Sequence, residues 1–279
     1  MKLLPRKISR REFLGLGALS GLSYMRFGEP NWLGTGRHAV PLAGGGAEPI
    51  KLLHISDLHA SEFVSLGFIE KAVRLGLAAQ PDLICLTGDF ITRLWDDWDG
   101  YGKILALLAQ RAPTFACLGN HDGGAWAWRA GGYSSAADVR EMLARAGVLL
   151  LHNASTSVTV RGRTLRLAGV GDWWAREMEP APAFAGVPVD EATILLSHNP
   201  DTKTALAPFP WKLMLCGHTH GGQLDLPMLG TPFAPVSDHR FVRGLHAWEG
   251  RWMHITKGVG SLHGMRFNCP PEVSVLTLT

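Results

Sequence analysis

Five short segments of this chain carry side chains able to bind metal ions or move protons. They are Asp57-Leu58-His59, Gly88-Asp89, Gly119-Asn120-His121-Asp122, Ser197-His198-Asn199 and Gly217-His218-Thr219-His220. Their donors are carboxylates, imidazoles and one carboxamide, with no thiolate. That set suits Mn2+, Fe2+ or Zn2+ and argues against Cu(I) or an iron–sulfur cluster. Asp57, His59, Asp89, Asn120, His198, His218 and His220 offer more donors than one tetrahedral site can use, and they suit two divalent ions sharing a bridging carboxylate. Two such ions outweigh the two aspartates in charge, which makes a phosphate group the natural ligand.

Each segment follows an apolar, strand-like run: Ile50 to Ser56, Asp82 to Thr87, Thr114 to Leu118, Thr193 to Ser197 and Trp211 to Cys216. Runs of that length read as buried strands, and open α/β architectures build their sites at the carboxyl ends of strands. One such strand end is adequately explained as a cap or turn, which Asp, Asn and Gly form everywhere. Five in series are better explained as one site. Gly88, Gly119 and Gly217 precede donors and are expected to let the backbone turn sharply there.

The segments between are built to alternate. Leu66, Ile69, Val73 and Leu77 recur at helical spacing, predicting a helix over Ser65 to Ala79 that Pro81 stops. Ile104 to Leu108 and Ser135 to Ala146 read as two more. Val158 to Val160 and Leu165 to Val170 read as a hairpin turning at Gly162. After the Gly-His-Thr-His loop the chain is strand-rich, ending in Val273 to Thr279. Strands alternating with helices and then strands alone predict two packed sheets flanked by helices.

In their order, the five segments resemble the calcineurin-like metallophosphoesterase family, whose pattern is D-x-H, G-D, G-N-H-[DE], H and G-H-x-H. The likeness runs from about Ile50 to the C-terminus. The Gly221-Gly222-Gln223 that follows the last motif, and Arg266-Phe267 ahead of Pro270-Pro271-Glu272, resemble the YkuE-like branch. The resemblance implies a four-layer α/β/β/α sandwich. It also implies that Asp57, His59, Asp89 and His220 hold one ion and Asp89, Asn120, His198 and His218 the other, with a metal-bridging hydroxide attacking phosphorus. His121 matches the family's catalytic acid, and Asp122 would orient its ring. Read without the family, His121 serves equally as a further ligand or a strand-end cap. The implied activity is hydrolysis of phosphate esters, with diesters favoured. Two alternatives stand beside it: a pyrophosphate hydrolase of a lipid-linked nucleotide sugar (UDP-diacylglucosamine type), and a non-catalytic envelope-binding module with a vestigial site.

The net charge of +3 invites a nucleic-acid partner, but its distribution does not support one. Residues 1–49 hold seven Lys/Arg and three Asp/Glu, leaving twenty against twenty-one for residues 50–279. The basicity therefore belongs to a leader. Lys2, Arg6, Lys7, Arg10 and Arg11 precede an uncharged, largely apolar run from Phe13 to Met25, too short to span a bilayer but suited to a signal-peptide core. Ser9-Arg10-Arg11-Glu12-Phe13-Leu14 resembles a twin-arginine export signal, with Gly15 where lysine is typical. The expected partner is that export machinery, and the expected location is the periplasm or the outer surface of the inner membrane. Pro41-Leu42-Ala43 is a poor cleavage site, so removal and retention as an anchor both stay open. Residues 26–49, rich in Gly and Pro, read as a linker, giving a leader over 1–49 and one catalytic domain over 50–279. Cys85, Cys117 and Cys216 lie in core strands and Cys269 stands alone, without the spacing of a disulfide framework or thiolate site.

Two further features bear on substrate. Arg266 is a candidate phosphate contact, since guanidinium pairs bidentately with phosphate. Trp95, Trp98, Trp126, Trp128, Trp173 and Trp174 all follow donor-bearing strand ends and are expected to rim the site. Either they pin long loops in place, or they form an apolar collar, Trp126 and Trp128 foremost, for a phospholipid or lipid-linked substrate at a membrane.

Overall fold

The computed structural model describes residues 9–42 and 48–279. Helix α1 spans Arg10–Ser23, and a first sheet follows it, with strands β1 (Gly34–Val40), β2 (Ile50–Ile55), β3 (Leu83–Thr87), β4 (Thr114–Cys117) and β5 (Leu149–Leu150). Between these strands lie α2 (Leu66–Leu77), α3 (Trp98–Arg111), the single-turn α4 (Gly124–Arg129) and α5 (Ala137–Arg145). The second sheet holds β6 (Ala154–Val160), β7 (Arg163–Gly169), β8 (Thr193–Leu196), β9 (Leu213–Cys216), β10 (Gly244–Trp248) and β11 (Arg251–Ile255), with the short α6 (Pro180–Ala183) after β7. The last strand, β12 (Glu272–Leu278), returns to the first sheet. The strand orders are β1-β12-β2-β3-β4-β5 and β10-β11-β9-β8-β7-β6, both mixed parallel and antiparallel.

The period of two along the strands explains the layering. Leu53, Ile55, Ile84, Leu86 and Ala116 face α2, α3 and α5, where they meet Ile69, Val73, Leu105, Leu108 and Leu143. Their neighbours Leu52, Leu83, Cys85, Phe115 and Cys117 face the second sheet and pack on Leu165, Leu167, Ile194, Leu196, Leu213 and Leu215. The far side of the second sheet buries Leu195, Met214 and Met253 under Phe184, Leu206, Trp211 and Phe241. This fourth layer is made of α6, 3-10 turns and loops. The structure is thus the expected α/β/β/α sandwich, and Cys85, Cys117 and Cys216 are buried free thiols in it.

The linker reading of residues 26–49 needs correction. Gly34–Val40 is a parallel edge strand paired residue for residue with β12, from Gly34–Glu272 to Val40–Leu278. Hydrogen bonding to an open sheet edge does not require an apolar sequence, so Gly-Thr-Gly-Arg-His carried no strand pattern. Just before it, Glu29 is buried, its carboxylate accepting the backbone N–H groups of Asn268 and Cys269. Lys2, Arg6, Lys7 and Ala43, which figured in the leader reading, lie outside the described residues. The helix at Arg10 begins on a capping box in which Ser9 and Glu12 exchange backbone and side-chain bonds.

Candidate metal centre

The loops after β2, β3, β4, β8 and β9 converge on one edge, where the two sheets' carboxyl ends meet. Asp57 N–H donates to the Gly88 carbonyl (3.0 Å) and His59 N–H to the Asp89 carbonyl (2.9 Å), so the first two loops run side by side. Donor atoms of Asp57, His59, Asp89 and His220 lie within 4.8 Å of one another, all buried. The Asp89 carboxylate sits at the centre. Its Oδ2 is 3.3 Å from His59 Nε2 and 3.2 Å from His198 Nε2, while Oδ1 accepts the His121 backbone N–H (2.9 Å). His220 Nε2 lies 3.0 Å from His59 Nε2 and 3.4 Å from Asp57 Oδ1, and His218 Nδ1 lies 3.3 Å from His198 Nε2. One carboxylate oxygen therefore faces both halves of the donor set.

These seven residues fit divalent cations on three observations. Asn120 Oδ1, His218 Nε2 and His220 Nδ1 are buried without a hydrogen-bond partner among the described residues, and such orphaned groups are costly unless something satisfies them. Burial holds His59, His218 and His220 below the usual imidazole range, keeping them neutral with a lone pair to give. Burial likewise opposes ionisation of Asp89, yet the surrounding histidines, His198 foremost, hold its carboxyl well below the usual range. The same pairing raises His198 against its own burial, so the proton on His198 stands where a cation would, and metal binding would displace it. The outer nitrogens are fixed as well: His59 Nδ1 meets Thr92 Oγ1 (3.2 Å), and His198 Nδ1 donates to the Thr87 carbonyl (2.6 Å).

The backbone is unusual where the donors are. Asp57, His59, Asp89, His218 and His220 all have φ between 48° and 69°. Left-handed backbone at a non-glycine residue costs roughly 1–3 kcal/mol and persists where the surroundings enforce it. Of the three glycines expected to supply turns, only Gly88 has positive φ (86°). Gly119 and Gly217 are needed for space. A Cβ on Gly119 would stand 2.2 Å from Asp89 Oδ1, and one on Gly217 would stand 2.0 Å from Ser56 Oγ and 2.2 Å from Asp57 Oδ2.

His121 lies beside the donors. Its ring is edge-on to His59 (4.9 Å between centroids) and to Trp126 (4.5 Å). The partner that orients it is not Asp122. His121 Nδ1 donates to the Thr92 carbonyl (2.7 Å), whereas the Asp122 carboxylate accepts the backbone N–H groups of Asp89 (2.9 Å), Phe90 (2.7 Å) and Gly119 (2.8 Å). Asp122 thus ties the β3 and β4 loops together. Burial pushes its carboxyl up to about 8, and the Gly119 and Phe90 donors pull the other way.

Arg266 is not a substrate contact. It is fully buried, and its guanidinium donates to the carbonyls of Cys269 (2.9 Å), Lys257 (2.9 Å), Gly258 (3.2 Å) and Gly260 (2.5 Å). That network braces a loop whose Gly260 N–H donates to the Asp57 carbonyl (2.6 Å). The tryptophans divide. Trp126 lines a groove of about 460 Å³ with His121, Thr92, Arg93 and Phe63. Trp128, two residues on and so on another face of α4, is 65% exposed and does not line that groove. Trp95 and Trp98 pack against Tyr101 and Tyr133 at the edge of the core. Trp173 is exposed, and Trp174 meets His218 edge-on at 4.3 Å and Trp126 at 5.7 Å. Trp174 and Thr92 carry no donor pattern of their own. Asp172, buried with Oδ2 unpartnered and its carboxyl raised by burial to about 6, was legible only as the end of Gly169-Val170-Gly171-Asp172.

A sandwich with this donor set is a metallophosphoesterase, and the calcineurin-like phosphoesterase family model matches residues 50–222. The chain belongs to that family and is a metal-dependent phosphoester hydrolase, and its buried Asp57, His59, Asp89 and His220 fit a divalent cation. It is 44% identical to phosphodiesterase YaeI of Escherichia coli, over 97% of this chain and 99% of that protein. It is 28% identical to the metallophosphoesterase YkuE of Bacillus subtilis, with 98% of each chain covered. A third relative, UDP-2,3-diacylglucosamine pyrophosphatase LpxG of Chlamydia trachomatis, is 26% identical over 89% of this chain and 90% of its own. Family and intact donor set together set aside the vestigial binding module.

Proposed function

We propose that the enzyme hydrolyses phosphodiesters, with the departing alcohol on the His121 side and an apolar arm on the other. The observation that carries this reading is the position of Asp89 Oδ2 between His59 and His198, with His121 on the same loop as Asn120. Divalent ions held there supply Lewis acidity and an activated water when bound. The chain's own residues do the rest. Asn120 and the four histidines fix the phosphoryl group's surroundings. His121, its Nδ1–H held by the Thr92 carbonyl, acts as the imidazolium, giving its Nε2 proton to the leaving oxygen and ending as the neutral Nδ1–H ring.

Two grooves flank the cluster. One contains His121, Trp126 and Arg93. The other, about 360 Å³, contains His220 with Leu224, Phe233, Pro235 and Leu262. A diester has two arms and a monoester one, so paired grooves favour the diester, as does the phosphodiesterase relative. The apolar second groove suits an acyl-bearing arm. It also supports a second reading, a pyrophosphate hydrolase of a lipid-linked nucleotide sugar, which LpxG's name describes for that protein.

Chelation should abolish turnover of bis-nitrophenyl phosphate, and Mn2+, Fe2+ or Zn2+ added singly should identify the native metal by which one restores it. The diester should be cleaved faster than nitrophenyl phosphate. A faster monoester would overturn the diester reading, and preferential cleavage of a UDP-linked diacyl glucosamine would establish the second one.

Export by the twin-arginine route belongs to the same proposal. It is supported by Arg10-Arg11 on the exposed first turn of α1, directly after the Ser9 cap. Replacing both arginines with lysine should hold folded, metal-loaded protein in the cytoplasm on cell fractionation. Unchanged export of that variant would sink the assignment.

A further inference from the structure

Two apolar elements distant in sequence are rooted at the mouth of the two grooves. The first is α1. No residue of it is buried, and Phe13, Leu14, Leu16, Leu19 and Leu22 are all exposed. A helix apolar around its circumference needs an apolar surround. The helical path runs on through Tyr24–Gly28, and no helix among the described residues is long and apolar enough to cross a bilayer. The second is the loop after the Gly-His-Thr-His segment, folded back by the Leu226–Gly230 bridge. Its tip carries Met228, fully exposed, and Leu229 at 71%, with Phe233 behind them at 67%.

Both elements are fastened to the segment 264–269. Met25 carbonyl accepts the Arg266 N–H (2.9 Å), and Arg26 donates to the Gly264 carbonyl (3.2 Å) while lying 5.0 Å over the ring of Phe63, a groove residue. Asn268 joins the two roots. Its backbone N–H donates to Glu29 Oε2 (2.9 Å), and its Nδ2 donates to the carbonyl of Asp225 (3.0 Å), at the base of the apolar loop. Just ahead of this segment, Leu262 and His263 line both grooves. Cutting the chain at 41–43 would remove β1 and the buried Glu29, so the fold favours keeping α1 attached.

We propose that this face docks on a lipid bilayer, with α1 lying shallowly beneath the headgroups and Met228-Leu229 inserting beside it, so that the grooves open onto the lipid surface. Arg10 and Arg11 at the start of α1, and Arg26 at its root, favour anionic headgroups, since the remainder of the chain is near neutral. The inference rests on the reading above only for what the grooves receive; attachment itself is independent of turnover.

The test is flotation of the full chain with phosphatidylethanolamine–phosphatidylglycerol vesicles, beside turnover of soluble bis-nitrophenyl phosphate. The unmodified chain should float. Met228→Ser with Leu229→Ser, and separately Leu16→Ser with Leu19→Ser, should each lower vesicle partitioning by about tenfold or more, with soluble turnover unchanged as the control for folding. An unmodified chain that stays in the aqueous layer, or variants that float equally well, would overturn the proposal. So would a chain that ignores vesicles but loses a dimer on the Met228-Leu229 change, which would make a second copy the occupant. Flotation without diester turnover would instead defeat the phosphodiesterase reading and leave the docking surface standing.

Discussion

Asp89→Ala should reduce metal content from two ions per chain to one or none and lower diester turnover by about 10³-fold, equivalent to roughly 4 kcal/mol of transition-state stabilisation. The reason is geometric. Among the described residues, Asp89 Oδ2 alone stands within 3.3 Å of a histidine from each half of the donor set, and Oδ1 receives the His121 N–H that sets the neighbouring loop. Alanine removes the shared ligand and that loop bond together. The surviving donors would then keep one carboxylate, Asp57, 3.4 Å from His220 Nε2, and His198 would lose the one 3.2 Å from its Nε2. Metal analysis of the purified variant, beside Asp57→Ala as a ligand of one half only, decides the matter. Equal metal content in Asp89→Ala and the unmodified chain would show that the carboxylate does not bridge.

Much of the sandwich was legible because its strands bury both faces. Leu52-Leu53, Leu83 to Leu86 and Ile194 to Leu196 are continuous apolar runs, as strands covered on both sides must be. Helices α2 and α5 were legible from their apolar spacing, and the hairpin β6–β7 from Gly162 in its turn. What stayed hidden lies at the edges. Strand β1 draws its place from backbone pairing with β12, so its side chains needed no pattern. The helical layer over the second sheet is short turns, with little periodicity to read. Glu29 gave no signal because its role, receiving two backbone N–H groups from 268–269, is a long-range contact.

At the site, donor identity was legible and the supporting contacts were not. Asp57, His59, Asp89, Asn120, His198, His218 and His220 converge because each sits at the end of a strand on one sheet edge. Which residue supports which cannot be read from adjacency. Asp122 follows His121 in sequence, yet it binds the backbone of Asp89, Phe90 and Gly119. Thr92, from the preceding loop, holds His121 instead. Arg266 had the right chemistry for phosphate, but it is fully buried and four backbone carbonyls take its two terminal nitrogens. Neighbouring tryptophans also part company, since α4 turns Trp126 toward His121 and Trp128 toward solvent.

His121→Ala should keep both ions and lower turnover of a diester with an alkoxide leaving group by roughly 10²–10⁴-fold, the usual scale for a general acid. The imidazole is placed for that role by two contacts: Nδ1–H bonds the Thr92 carbonyl, which leaves Nε2 as the nitrogen whose proton the imidazolium form can give up, and the ring packs edge-on against Trp126 in the first groove. Because the side chain supplies only a proton, its importance should follow the leaving group. A nitrophenolate departs with little protonation, so the loss on bis-nitrophenyl phosphate should be much smaller than on an alkyl diester. The metal content of His121→Ala is the second readout, since the alternative role for this histidine is that of a further ligand. An equal loss on both leaving groups would remove the acid assignment, and a fall in metal content would make His121 a ligand.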